Sequence, residues 1–135
     1  MKNVKTVTSK VTGILLILLV LIPFLGLGQN TIDIQVAPNV LNLQNNGQVV
    51  TVHTDIPYGD VVAETVTMEG ITISSWKDDN QGNFVAKFLM SEIVNLPLNV
   101  GDYNTLTLEG TTTDGGTFSG ADEIMVVNNI PKGGK

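Results

Sequence analysis

The sequence contains no cysteine and no arginine, and its single histidine is His53. Without cysteine the chain can form neither a disulfide nor a lipid-modified N-terminal cysteine, and a zinc site of cysteine and histidine is excluded. A nucleophilic triad needs a general base, for which His53 is the only histidine in the sequence. The period-two pattern places His53 on the face opposite Val50 and Val52, which indicates an exposed residue and not a catalytic base. We therefore expect that the protein is not an enzyme.

All seven basic residues are lysines, against 13 acidic residues, which gives a net charge of −6. Lys2, Lys5 and Lys10 precede an uncharged, strongly apolar run of 16 residues, residues 13–28. This asymmetry predicts a signal peptide over residues 1–28, with Gly26 and Gly28 fitting a peptidase that cleaves before Gln29. A retained membrane anchor is the alternative, but the run is shorter than the about 20 residues that span a bilayer.

The chain after residue 28 has four lysines against the same 13 acidic residues, or a net charge of −9. Such a domain is repelled by phosphate backbones and anionic lipid, so we expect no nucleic-acid binding and membrane contact only through the signal peptide. The length predicts one domain over residues 29–128, followed by a flexible tail over residues 129–135. We expect an exported protein, periplasmic or extracellular.

From Thr31 onward the apolar residues alternate with polar ones, and turn signals follow at intervals of about a dozen residues. Gly70 separates two runs rich in β-branched residues, 65–69 and 71–76, and residues 114–116 read Asp-Gly-Gly, a hairpin signal. Residues 90–95 indicate one short helix with Ser91 as its N-cap. The pattern predicts an all-β, single antiparallel two-sheet sandwich of seven or eight strands, preceded by the signal peptide helix.

The loop over residues 77–83 is the best local cluster of oxygen ligands. Asp78, Asp79 and Asn80 could supply three oxygens to Ca²⁺, which needs six to eight. The cluster lacks the closing acidic ligand of a helix-loop-helix site, and Lys77 adds an opposing charge. A hairpin turn that satisfies its own backbone is the alternative, so we expect no cofactor beyond weak calcium binding.

Aromatic residues make up only 5% of the chain. Tyr58 and Tyr103 adjoin glycine and aspartate in loops, and they are the candidate ligand-binding aromatics. For Trp76 we expect burial, as a core residue of the sandwich. Alternation from Thr72 and Ser74 places Trp76 on the wet face, but a bulge would turn it inward.

Several strand and turn segments resemble small exported bacterial domains of the immunoglobulin-like β-sandwich type, whose function is unassigned. The segments that carry the resemblance are residues 34–38, 41–43, 47–52, 66–70, 83–88, 101–102, 106–111 and 114–124. They cover nearly the whole chain after residue 28, and they are specific for architecture. The resemblance implies an immunoglobulin-like or related sandwich, and in such relatives the loop before the strand at Phe84 is often richer in aspartate.

These observations favour a non-catalytic exported β-sandwich that serves as a structural or protein-interaction module of the cell envelope or extracellular space. The alternative is a small carbohydrate-binding or calcium-assisted adhesion module that uses Tyr58, Tyr103 and the loop from Asp78 to Asn80. A third option is self-assembly, in which residues 31–37 add to the sheet edge of a neighbour. The partner would be an envelope or extracellular protein, or a polysaccharide.

Overall fold

The computed structural model describes residues 28–130. The predicted signal peptide lies outside these residues apart from Gly28, and so does the predicted tail beyond Ile130. Within the described range no helix is long and apolar enough to cross a membrane. The strands are β1 (Gln29–Thr31), β2 (Ile34–Ala37), β3 (Val40–Asn42), β4 (Val49–Pro57), β5 (Val61–Met68), β6 (Ile71–Thr72), β7 (Ser75–Asp78), β8 (Asn83–Leu89), β9 (Tyr103–Thr112) and β10 (Thr117–Val127).

The ten strands form two sheets, so the predicted all-β class is confirmed. The four-stranded sheet has the order β2-β4-β8-β7. The six-stranded sheet has the order β1-β10-β9-β5-β6, with β3 also pairing with β10. Alternating buried residues from both sheets form one apolar core, and the largest fully buried side chains include Phe84, Phe88 and Phe118. Two sheets around a shared core are consistent with a sandwich.

The N-terminal segment, residues 29–42, forms three short strands that belong to different sheets. β1 and β3 both pair in parallel with β10, whereas β2, between them, pairs with β4 of the other sheet. The prediction of a wholly antiparallel sandwich with seven or eight strands is therefore wrong in these details. The physical reason is that periodicity reports which face of a strand is buried and not which neighbour it pairs with.

The change of sheet at the N-terminal segment depends on two contacts with β10. Asp122 reaches across the open side of β2, where its Oδ2 accepts a hydrogen bond from the amide of Val36 at 2.9 Å. Gly120 lies under the crossing chain, since a Cβ there would stand 2.6 Å from the carbonyl oxygen of Ile32. A carboxylate and a glycine in β10 thus hold residues 32–36 against the sandwich edge.

Residues 71–76 form two strands in different sheets. β6 closes a two-residue hairpin with β5, where Glu69 and Gly70 both have positive φ, and then the chain passes to β7 at the edge of the four-stranded sheet. Trp76 pairs with Ala86, a core residue, so it shares the inward side of the sheet. It is nevertheless 38% exposed at this outer strand, so the prediction that Trp76 is a buried core residue is wrong.

A single helical turn, α1 (Met90–Ile93), follows β8, as the sequence indicates. Its N-cap position is held by Leu89 without a side-chain hydrogen bond, so the prediction of Ser91 as the N-cap is wrong. Leu89 keeps the extended backbone of the strand, and the helix begins at Met90, two residues earlier than an N-cap at Ser91 would allow. Met90 and Ile93 are buried, and they extend the apolar core to this end of the domain, here called the helix end.

Candidate functional site

An open groove lies on the outer face of the four-stranded sheet, with a volume of about 680 Å³. Its floor is Val85, which pairs with His53 on one side and Lys77 on the other. His53 is exposed while Val50 and Val52 are buried, as the sequence predicted. The groove contains three of the predicted site residues, and its lining comprises Gln35, His53, Thr54, Asp55, Lys77, Asp78, Asp79, Asn80, Gln81, Asn83 and Val85.

The turn from Asp79 to Asn83 forms the end wall of this groove. Oδ1 of Asp79 accepts hydrogen bonds from the amides of Gln81 at 2.8 Å and Asn83 at 2.9 Å. The backbone of Asp79 also bonds to Asn83 at 2.9 Å and to Gly82 at 3.0 Å, and Gly82 takes a φ of +81°. The amide of Asn83, followed by that of Gln81 and the nearby His53, holds the pKa of Asp79 below its ordinary value. This is the self-satisfied hairpin turn that the sequence left open as an alternative.

The carboxylate of Asp79 is already bound by backbone amides of its own turn, and this limits its use as a calcium ligand. Asp79 already uses one carboxylate oxygen for two backbone amides, so a cation would compete with them. Asp78 lies at the end of β7 opposite Phe84, and Asn80 lies in the exposed turn. No group of three or more His, Asp or Glu residues within residues 28–130 is arranged to hold a metal ion. Weak calcium binding here stays a prediction.

Tyr58 lies beside this turn. Its amide donates to the carbonyl oxygen of Gly82 at 2.8 Å, and its ring packs on Phe84 with centroids 6.1 Å apart and planes tilted by 34°. The ring is 39% exposed, so one part is fixed on the core and the rest faces solvent. The structure thus brings Tyr58, Asp78, Asp79 and Asn80 to the same end of the domain.

Tyr103 lies at the opposite end of the domain from these four residues. It begins β9, whose last residue, Thr112, pairs with Val61 at the other end of the domain. At about 3.3 Å per residue, the nine steps between Tyr103 and Thr112 cover roughly 30 Å. Tyr103 borders a separate cleft of about 350 Å³ at the helix end. One small ligand cannot contact Tyr58 and Tyr103 together.

A third cleft, of about 430 Å³, lies between the two sheets' ends near Tyr58, and sequence reasoning missed it. It is lined by residues 30–32, 55–57, 112–114 and Asp60. Oδ1 of Asp55 accepts from the amide of Asp33 at 3.0 Å, and the hydroxyl of Thr112, followed by the amide of Gly116, lowers the pKa of Asp114. Three chain segments that are distant in sequence meet here, so no local pattern could have indicated the cleft.

The surface differs between the two ends of the domain. The end with the turn at residues 79–83, here called the acidic end, carries Asp33, Asp55, Asp60, Asp78, Asp79 and Asp114. Exposed large apolar side chains concentrate at the helix end and include Val40, Val49, Leu89, Val100, Tyr103 and Ile130. The acidic end suits polar or cationic contacts, whereas the helix end combines exposed apolar side chains with the acidic residues Glu92 and Asp102.

Comparison with known proteins gave no match to a family model, to a curated protein or to a solved structure.

Proposed function

We propose that the chain is a non-catalytic exported β-sandwich that serves as a structural or protein-interaction module of the cell envelope or extracellular space. The observation that carries the proposal is that the described surface has open clefts and no enclosed pocket among them. The apolar core fills the space between the sheets, and the three clefts described above open directly to solvent. Open faces favour contact with another macromolecular surface, whereas enclosed pockets favour small-molecule chemistry.

The immunoglobulin-like type is part of this proposal. Immunoglobulin domains have the order A-B-E-D in one sheet and C-F-G in the other. Taking β2, β4, β5, β7, β8, β9 and β10 as strands A to G gives the orders A-B-E-D and C-F-G in this chain. β6 then lies outside strand C at the sheet edge. This order supports the immunoglobulin-like assignment.

Export is tested by cell fractionation followed by mass spectrometry of the N-terminal peptide. We expect the protein in the periplasmic or extracellular fraction, with Gln29 as its first residue. A substitution at the cleavage position, Gly28→Pro, should block processing and hold the protein at the membrane. An intact Met1 peptide in the mature pool of the unaltered chain would contradict the cleavage.

The interaction role is tested by photo-crosslinking in intact producing cells. A crosslinking side chain is introduced at an exposed position of each cleft, Asn30, Gln81 or Asn99, and at exposed Thr72 on a sheet edge as the control. We expect a discrete crosslinked protein from at least one cleft and none from Thr72. Uniform labelling, or none at all in the native compartment, would count against an interaction module.

The second candidate is a carbohydrate-binding module, and the groove of the four-stranded sheet favours it. Gln35, Lys77, Asn80 and Gln81 expose hydrogen-bond donors and acceptors around the groove, and such groups suit sugar hydroxyl groups. Affinity electrophoresis in envelope polysaccharide provides the test. Lys77→Ala and Asn80→Ala should remove any retardation, whereas Tyr103→Ala, at the other end of the domain, should keep it. Equal mobility with and without polysaccharide would reject this candidate.

A further inference from the structure

Three apolar side chains form a row across the outer face of the six-stranded sheet. Met125 of β10 pairs with Val40 of β3 on one side and with Tyr103 of β9 on the other. Val40 is 52% exposed and Tyr103 is 62% exposed, while Met125 is half-buried between them. Residues paired across neighbouring strands stand about 5 Å apart, so the three side chains, here called the apolar row, are contiguous. Contiguous exposed apolar surface on a soluble domain marks a contact site.

Two exposed carboxylates border the apolar row. Glu123 lies two residues before Met125 on the same face of β10. It is the diagonal neighbour of Tyr103, and such neighbours stand about 7–8 Å apart. Asp102 directly precedes Tyr103. Its carbonyl oxygen accepts the amide of Val126 at 3.1 Å and its Oδ1 accepts the amide of Tyr103 at 2.7 Å, which holds Asp102 at this end of the row.

The sign of the charge on this sheet indicates which occupant fits the row. Lys77 and Lys87, the two lysines within residues 28–130, belong to β7 and β8 of the other sheet. The strands of the six-stranded sheet contain no lysine or histidine and four acidic residues, which are Glu64, Glu109, Asp122 and Glu123. A second copy of this chain and an anionic surface are therefore repelled from the row, whereas a partner with basic side chains is attracted to it.

We propose that the apolar row binds a segment of another protein in which apolar side chains are flanked by lysine or arginine. This choice of partner rests on the proposed function as a protein-interaction module. The apolar side chains of the segment cover Val40, Met125 and the ring of Tyr103. One basic side chain pairs with Asp102, and another lies between Glu123 and Tyr103, where it pairs with the carboxylate and contacts the face of the aromatic ring.

The size of the row determines the strength of the contact. An apolar patch of this kind covers on the order of a few hundred Å². A segment seated on it buries less than the about 1,200 Å² that begins the range of stable complexes. The contact is therefore reversible, and it depends on charge for its rate of association and its selectivity. Salt weakens it, because screening reduces the attraction between exposed opposite charges.

Nuclear magnetic resonance of residues 29–135, which contain both sheets and every core residue, tests the proposal with three synthetic peptides. The peptides share two valines and one leucine at alternate positions, and all the remaining positions are lysine, serine or glutamate. We expect the lysine peptide to shift the amide signals of Val40, Tyr103 and Met125. At low salt it should bind at least about 10-fold more tightly than the serine peptide, and the glutamate peptide should not bind.

Two matched variants test the role of Glu123. Glu123→Gln and Glu109→Gln each remove one exposed carboxylate from the same face, but Glu109 pairs with Ser119, which lies four residues, or roughly 13 Å, along β10 from Glu123. Glu123→Gln should weaken binding of the lysine peptide by about 2- to 5-fold, the range of one exposed ion pair, and Glu109→Gln should change it little. Tyr103→Thr should weaken the lysine and serine peptides alike, because it removes apolar contact. Circular dichroism should show that all three variants fold.

Photo-crosslinking in producing cells separates this proposal from the proposed function. A crosslinking side chain at exposed Thr105, which pairs with Glu123 beside the row, should capture a segment in which lysine or arginine adjoins apolar residues. Crosslinks from a cleft position with none from Thr105 would reject the row as the contact and leave the interaction role standing. Equal binding of the lysine and serine peptides, amide shifts confined to residues 79–83, or an equal effect of the two glutamine variants would also overturn the proposal.

Discussion

Trp76 shows how an edge strand changes the energetic role of a large side chain. It shares the inward side of the sheet with Ala86, but β7 has no outer neighbour within the sheet, and 38% of the residue stays exposed. Phe88, on the adjacent central strand β8, is completely buried. The two residues are a matched pair of aromatic side chains in the same sheet.

We predict that Trp76→Ala lowers the free energy of unfolding by about 2 kcal/mol, roughly half the 3–5 kcal/mol typical of a buried aromatic residue. Phe88→Ala should cost the full amount. Chemical denaturation followed by far-ultraviolet circular dichroism measures both, because Trp76 is the single tryptophan and its fluorescence is lost in the variant. Equal losses in the two variants would show that Trp76 is buried as deeply as Phe88.

The carboxylate of Asp79, in the turn at residues 79–83, makes the stability of the domain depend on pH. Its carboxylate accepts backbone amides only in the folded state, and the pKa of Asp79 is therefore lower there than in the unfolded chain. A lowered folded pKa stabilises the domain above the ordinary value of 3.8, and this contribution is lost as the pH falls through the folded value.

We expect Asp79→Asn to flatten the acid side of the stability curve, where the pH falls below the ordinary carboxyl pKa of 3.8. Thermal melts across this range measure the effect, with Asp78→Asn as the neighbouring control. The pKa of Asp114 is also lowered, so the stability of the Asp79→Asn variant should still fall in acid. Adding Asp114→Asn should reduce this remaining pH dependence. Parallel curves for Asp79→Asn and the unaltered chain would argue against this role.

At the scale of elements, β10 organises the domain, because it pairs with β1, β3 and β9. The crossing of the N-terminal segment over β10 requires Gly120, where a Cβ would approach the Ile32 carbonyl oxygen to 2.6 Å and Cγ2 of Ile34 to 2.8 Å. The nearest of these atoms is backbone, which cannot rotate away. The glycine is therefore needed for close approach and not for an unusual φ angle.

Gly120→Ala should destabilise the domain by about 1–3 kcal/mol through this overlap. Gly59→Ala is the matched control, because a Cβ at Gly59 has no heavy atom within 4 Å. Urea denaturation of the two variants compares them directly. A Gly120→Ala variant as stable as Gly59→Ala would mean that residues 32–34 move aside at little cost.

The hairpin between β7 and β8 allows a direct test of calcium. Since Asp79 already accepts two amides, we expect about 10 mM calcium chloride to raise the melting temperature no more than sodium chloride of equal ionic strength. Differential scanning calorimetry provides the measurement. A calcium-specific rise that disappears in Asp78→Ala would show that the turn rearranges to hold the ion.

Local features of the fold were predictable from the sequence, and long-range ones were not. The turns at Gly70 and at residues 114–116 depend on adjacent residues, and both occur as hairpins. The exposed position of His53 follows from period two alone. The passage from β6 to β7 and the parallel pairing of β1 and β3 depend on partners distant in sequence, which periodicity does not report.

The same limit applies to the candidate site. The sequence identified the turn at residues 79–83, because aspartate and glycine there act on their own backbone. It grouped Tyr58 with Tyr103, since both lie beside glycine and aspartate, but the length of β9 and its pairing with β5 place them at opposite ends of the domain. The cleft at Asp55, Asp60 and Asp114 has no local signature, because it is built from separate segments of the chain.

For the whole molecule, the two chain ends of the folded domain lie far apart. β1 enters at the acidic end, beside Thr117, and the chain after β10 leaves at the helix end. A protein tethered at one end and bound to a partner at the other would carry mechanical force along β10. The two short strands that run parallel to β10 then lie directly in the path of that force.

Tension between Gln29 and Ile130 would pull β1 and β3 against β10 lengthwise, so their hydrogen bonds would be loaded together and would resist together. Tension between Gln29 and Gly116, which lie at the same end, would peel β1 from β10 one bond at a time. Single-molecule pulling through introduced cysteines should therefore record a higher rupture force for the first pair of attachment points. Equal forces would mean that the parallel strands do not act as a clamp.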